Sequence, residues 1–455
     1  MRFPYSFKEV FNNNTANGLS KGVTMNTENF EIKAYPEMWK GLDMDVERFD
    51  KMRLMLGDMY AQSYLTQKNR PDSMVYFDNM IAEIHGGRIQ ELLNAKKEGK
   101  PIIGTFCVYI PEEIVLAAGG VCVGLCGGSQ GSVPDAEKIL PRNICPMVKS
   151  AFGFKAGKIC PYFQAVDFVY GETTCDAKKK TWEILDNLVP TYVMEIPQTK
   201  RPSAVDMWFS EVKDFKTKVE SIAGNEVTLD NLQEAVKVMN NKRKALQRLN
   251  RLRHNDPTPI SGKDVLLVEQ IAFYDEPVRF ATRVNELCDE LEQRIADGVT
   301  VQNSGAARVM VAGVPMALPN WKLHNLVEGA GAVIVNEESC IGTRYYKDLM
   351  EEDTGDMDTI LKELTRRYMQ IDCSCFTPND ERIDQVLREY KESGAHGIIH
   401  YSLQFCHTYN VEEVKIRQAC EKEGIPYMFI ESDYSPEDVG QLQTRVEAFL
   451  EQISD

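Results

Sequence analysis

From residue 101 onward, short continuous apolar runs alternate with amphipathic stretches. The runs at 101–106, 120–125, 167–171 and 191–196 read as buried strands, with helices over 112–118 and 176–188. The pattern returns after Arg308. There the strands are 309–313, 332–336, 397–403 and 427–430, and the helices are 320–329, 411–423 and 438–451. Strands that are apolar throughout, separated by helices, predict parallel sheets covered on both faces. Before residue 101 the apolar period is helical, over 45–67 (Met52, Leu54, Met55, Met59, Leu65) and again over 74–97. Residues 205–305 are helical too. The expected fold is α/β. A helical leader (1–100) precedes a first Rossmann-like parallel-sheet lobe (101–204), a helical insertion (205–305) and a second such lobe (306–455). The leader is expected to pack across the rest of the chain or a partner subunit.

Composition narrows the class. A chain of 455 residues with 43% hydrophobic and 26% charged positions builds real cores and two or three domains. The formal net charge of −16 argues against nucleic acid or an anionic membrane as the main partner. No apolar run reaches the ~18 residues that would span a bilayer. The N-terminus lacks the apolar stretch and cleavage site of a signal peptide. The expected compartment is the cytoplasm, where disulfides are rare. Within the insertion, residues 228–254 carry a basic stripe (Lys237, Lys242, Arg243, Lys244, Arg248, Arg251, Arg253). It reads as a solvated helix face or, more sharply, as a docking surface for an acidic partner.

The cysteines change the picture. There are 12, none before residue 107, and five fall between 107 and 160. Clustered thiols in a reducing compartment suggest metal or redox chemistry. Cys107, Cys126, Cys175, Cys340 and Cys406 each follow a predicted strand. Loops at the carboxyl ends of parallel strands form the binding crevice of such sheets. Cys145 and Cys160 are each followed by proline, a familiar ending of iron–sulfur ligand runs. Cys373 and Cys375 lie in the loop-like stretch Asp372-Cys-Ser-Cys-Phe. Cys122, inside a strand, and Cys288 and Cys420, inside helices, read as small buried hydrophobes. No C-x-x-C pair is present, which disfavours zinc and a thioredoxin-type dithiol. Thiols scattered in sequence but converging in space suit an iron–sulfur cluster between lobes. Such a cluster, with few cations nearby in an acidic protein, would be hard to reduce.

Other candidates are fewer. Glu112 and Glu113 open the helix after Cys107, as helix-capping carboxylates or as proton donors. His407 is the one histidine beside a cysteine, and could donate a hydrogen bond or a proton. The glycine-rich 127–131 lacks dinucleotide-binding spacing and reads as a flexible loop near the site. No P-loop motif is present.

Several motifs then resemble one known family. They are Gly104-Thr-Phe-Cys-Val-Tyr-Ile-Pro-Glu-Glu113, Asn143-Ile-Cys-Pro-Met-Val-Lys-Ser150 and Glu172-Thr-Thr-Cys-Asp-Ala-Lys-Lys179. Asn336-Glu-Glu-Ser-Cys-Ile-Gly-Thr-Arg344 and the segment from Glu431 to Arg445 complete the set. In this order they resemble the 2-hydroxyacyl-CoA dehydratase and benzoyl-CoA reductase family, from about residue 101 to the end. The resemblance implies one [4Fe–4S] cubane per dehydratase subunit, held by cysteines that map onto Cys107, Cys145 and Cys340. This chain has more loop cysteines than that pattern: Cys126, Cys160, Cys175, Cys375 and Cys406 compete for further places, with Cys126 and Cys375 favoured. It is therefore most similar to the double-cubane cluster protein branch. That branch implies an [8Fe–9S] cluster on six cysteines, a homodimer, and reduction by an ATP-dependent iron–sulfur activator. It also implies a small-molecule substrate. The alternatives are a dehydratase subunit with a single [4Fe–4S] cluster and a non-catalytic electron carrier.

Overall fold

The computed structural model describes residues 30–454, except 302 and 304. Residues 1–29 of the expected leader lie outside the described residues. The α/β expectation holds. Strands β1 (Ile102–Thr105), β2 (Val121–Gly124), β3 (Phe168–Glu172) and β4 (Thr191–Met194) form a parallel sheet in the order β2-β1-β3-β4. Strands β5 (Arg308–Gly313), β6 (Val333–Glu338), β7 (Gly397–Leu403) and β8 (Tyr427–Ser432) form a second parallel sheet, β6-β5-β7-β8. The two orders are the same, so the second lobe repeats the topology of the first. In each, the strand order reverses between the first and third strands. That reversal opens a crevice at the carboxyl ends of those strands.

The inner strands are buried because both faces are covered, whereas the outer strands β2, β4 and β8 are partly exposed. All four residues of β1 and all seven of β7 are buried. Close approach of a loop also demands Gly104, where an added Cβ would lie 2.2 Å from Leu125 Cδ1.

The leader forms helices Val46–Tyr60, Met74–Ala82 and Gly87–Lys97. The helical pattern over 74–97 is broken before Gly87, where Gly86 takes φ −117° and ψ −92° at the helix start. The leader binds both halves of the chain. Tyr60 and Tyr64 pack edge-on against Trp321 of the second lobe. Arg70 pairs with Asp78 and with Asp264 of the insertion, and Lys96 with Asp167 of the first lobe. One hydrophobic core runs through leader, insertion and both lobes. A smaller one, containing Cys420, lies on the far side of the second sheet.

Much of the basic stripe is engaged inside the chain, although Lys244 and Arg251 are exposed and Lys237 is half-buried. Along the helix Leu229–Arg253, Lys242, Arg243 and Arg253 are buried. Arg243 pairs with Glu113, Lys244 with Glu352, and Arg248 with Asp289 and Glu292. These cations are answered inside the chain, by acids far from them in sequence. No described helix is long and apolar enough to cross a membrane.

Candidate metal centre

Register fixes the first thiols. Thr105 pairs with Gly124, so the ends of β1 and β2 are level. Cys107 and Cys126 each lie two residues beyond those ends. Cys340 lies two residues beyond β6 in the same way and is the second lobe's counterpart of Cys126. A second pair comes from helix starts. Cys175 is the residue before the helix Asp176–Leu185, and Cys406 the residue before the helix His407–Glu423. Each helix follows the third strand of its sheet. Cys145 and Cys160 precede helices Pro146–Ala156 and Pro161–Ala165, whose first residue is the proline. Proline is favoured there because its missing N–H would have no partner anyway.

These positions converge. Cys107, Cys126, Cys145, Cys175, Cys340, Cys373 and Cys406 line one cavity of about 200 Å³ between the lobes. Lobe one contributes Cys107, Cys126, Cys145 and Cys175, and lobe two the other three. Cys107 faces Cys340 and Cys373, while Cys145 contacts Cys406, which also faces Cys175. Cys126 faces Cys340 and Cys145, and so both neighbourhoods; its thiol donates to the Phe106 carbonyl at 2.9 Å. All cysteines are free thiols.

Two candidates lie elsewhere. Cys160 is absent from this wall and stands near Lys155. Cys375 does not line the cavity, but it contacts Cys373 and stands near Cys107 and Tyr109. Cys373, which the sequence left unassigned, is the member of that pair that lines the cavity. Glu112 and Glu113 are not in the wall either. Glu112 accepts a hydrogen bond from Tyr345 at 2.8 Å and lines a neighbouring cavity that shares Cys107. Glu113 is fully buried, 2.6 Å from Arg243 Nη2, and accepts from the Tyr368 hydroxyl at 2.8 Å. His407 is exposed at the rim, with Phe405 and Asp176. Phe405 takes φ +61°, a left-handed conformation that costs a bulky residue energy and is typical of site rims. The glycine-rich loop is held rather than loose. Gly128 N–H donates to Leu318 at 2.9 Å, and a Cβ there would lie 2.5 Å from the Ala317 carbonyl.

Burial pushes most of these thiols up. Cys126 rises to about 12, and Cys107 is also pushed well up, by burial and by the Glu172 carboxylate. Two go the other way. Cys145 falls to about 7, through Cys406 and the backbone N–H groups of Met147 and Val148 at the helix start. Cys373 falls to about 6, through Cys375 and the Arg344 guanidinium. Contrary to the expectation of few cations, two are buried here. Lys178 lines the cavity and is paired with Glu172. Arg344 faces Cys340 and Cys373 and pairs with Glu338 at 2.9 Å.

Comparison with known proteins decides the family. Residues 107–453 match the model described as 2-hydroxyglutaryl-CoA dehydratase, D-component. The chain belongs to the 2-hydroxyacyl-CoA dehydratase and benzoyl-CoA reductase family. It is 35% identical over 365 residues to YjiM of Escherichia coli (strain K12), a dehydratase subunit by inference, covering 80% of this chain and 94% of the relative. It is 25% identical over 375 residues to the beta subunit of (R)-2-hydroxyglutaryl-CoA dehydratase of Acidaminococcus fermentans, covering 80% and 95%. It is 23% identical over 360 residues to one of the subunits of benzoyl-CoA reductase from Thauera aromatica, covering 76% and 89%. Dehydratases and a reductase thus share this family, and membership makes the chain an enzyme component. All of its cysteines lie inside the family match, whereas the helical leader lies outside it.

The donor set bears on what the family's cavity could hold. Seven soft sulfur donors and no carboxylate-rich cage exclude a magnesium or calcium site. Among the described residues, no three His, Cys, Asp or Glu side chains converge closely enough for a lone metal ion. The thiols surround a volume instead of a point, and a polynuclear group fits that arrangement.

Proposed function

We propose that this chain is an iron–sulfur reductase component. Its cavity would hold a double-cubane [8Fe–9S] cluster, reduced by an ATP-dependent iron–sulfur activator, and the chain would act as a homodimer on a small-molecule substrate. One observation carries the reading: seven thiols line one cavity, against the three that a single cubane uses in the dehydratases. Their two neighbourhoods support it further. Cys107, Cys340 and Cys373 form one, and Cys145, Cys175 and Cys406 the other, with Cys126 facing both. Six of these seven would be the ligands. When bound, the cluster supplies low-potential electrons one at a time.

The chain's own residues shape what can react. Apolar walls, Phe273 and Leu318 among them, exclude water. At the rim, His407 beside Asp176 would be the group to pass a proton inward.

The dehydratase names of the relatives favour a second reading, an (R)-2-hydroxyacyl-CoA dehydratase subunit with one [4Fe–4S] cluster. The test uses anaerobic protein with an iron–sulfur activator, ATP and Mg²⁺. ATP-dependent reduction of the protein followed by turnover of small, multiply bonded molecules is expected. Turnover of 2-hydroxyacyl-CoA alone would favour the dehydratase. Reduction with turnover of neither would make the chain a carrier.

A further inference from the structure

A buried ion pair faces the thiol wall. Glu172 is the last residue of β3, and Lys178 lies in the first turn of the helix after Cys175. Sheet and helix therefore fix both ends of the pair. The Glu172 side chain is fully buried and that of Lys178 is 11% exposed. Glu172 Oε2 has no hydrogen-bond partner. Lys178 lines the cavity, within electrostatic range of Cys107, Cys126, Cys145, Cys175 and Cys340. Glu172 acts on Cys107, Cys126 and Cys175. At Cys107 the carboxylate acts more strongly than the ammonium, and at Cys126 and Cys175 the order is reversed.

Burying such a pair is expensive, and well-packed apolar side chains of similar volume would often serve stability as well or better. The pair has a use in its field. In a low-dielectric cavity a nearby fixed charge acts strongly. The potential of an iron–sulfur group depends on the net charge around it. Each electron taken up adds a negative charge, which a neighbouring ammonium stabilises and a neighbouring carboxylate opposes.

We propose that Lys178 is a positioning charge that raises the reduction potential of the group held by the thiol wall, and that Glu172 moderates it. The inference rests on the iron–sulfur reading and adds a residue to that site. Lys178 is in this view no metal ligand. It makes the site reducible within the reach of its electron donor, and it lies on the first-lobe side of the cavity.

The test is a mediated redox titration of full-length protein, followed by absorbance and electron paramagnetic resonance, with iron content measured alongside. Lys178→Met is expected to lower the midpoint potential and Glu172→Gln to raise it. Lys178→Arg should stay near wild type, and the double variant should fall between the two single ones. Simple damage to the fold would not move two partners of one pair in opposite directions. Shifts in the same direction, or unmoved potentials at full iron content, overturn the assignment. If Lys178→Met does not fold, Glu172→Gln decides: a potential at or below wild type overturns it. Wild-type protein lacking iron and sulfide would overturn the underlying reading as well. An intact cluster with unmoved potentials overturns the role of Lys178 alone.

Discussion

Cys107 and Cys288 are both free thiols, but their surroundings differ in kind. Cys107 lines the inter-lobe cavity opposite Cys340 and Cys373. Cys288 is fully buried within a helix and belongs to the hydrophobic core, away from the cavity. Cys107→Ala should strip or damage the iron–sulfur chromophore, and Cys288→Ala should leave its spectrum unchanged. Equal spectra would contradict this sorting. Glu113 allows a different prediction. Despite its burial, Arg243 and Arg367 hold its carboxyl below the usual range. A carboxyl depressed in the folded state stabilises above its unfolded pKa of about 4.3. That stability is lost as pH falls through the folded value. Glu113→Gln leaves Arg243 buried without a charge partner, at a cost of about 3–5 kcal/mol. Urea denaturation at pH 7 should show that loss, with less further loss on acidification than in wild type. A variant as stable as wild type would contradict it.

Some of this was legible one residue at a time. The thiols that follow strands were, because parallel sheets place such loops together. The choice between Cys373 and Cys375 was not. In a short loop, residues two apart present different faces only once the backbone path is set, and no periodicity gives that path. Lys178 was hidden for another reason. It stands in the run Lys178-Lys-Lys180, which reads as solvated charge, and its burial follows from Glu172 six residues earlier on a strand.

At the scale of elements, helix starts do as much as strand ends. Cys145, Cys160, Cys175 and Cys406 all stand immediately before a helix. Backbone N–H groups there favour a thiolate. Two of these starts are the Cys-Pro steps, which the sequence pattern marked as endings of ligand runs and not as helix starts. Cys406 carries no such mark, and the sequence pattern began its helix at Val411, whereas the helix begins at His407. Strand ends matter through Gly313. It closes β5 at φ +126°, where an added Cβ would meet the Tyr401 carbonyl oxygen at 2.0 Å. Its own carbonyl accepts from Arg344, the cation beside Cys340 and Cys373. Gly313→Ala should cost about 1–3 kcal/mol through backbone strain. It should also perturb the chromophore, because the backbone carbonyl that Arg344 donates to would be displaced. Thermal melting and absorbance of the same sample check both. A melt and a spectrum like wild type would contradict this role for Gly313.

The whole molecule is two copies of one sheet topology facing a shared cavity, bound together by leader and insertion helices. Apolar runs made both sheets readable, because a strand covered on both faces has no polar phase to confuse it. Long-range pairing was not readable. Nothing local says that Arg243 will meet Glu113 across 130 positions, and so a basic helix looked free when several of its cations were paired. Lobe placement likewise decides which thiols meet. The central claim is that they meet around a cluster larger than one cubane. Iron and acid-labile sulfide per chain, measured on anaerobically purified protein, test it most directly. A double cubane predicts about eight irons and about nine sulfides. About four of each would contradict it.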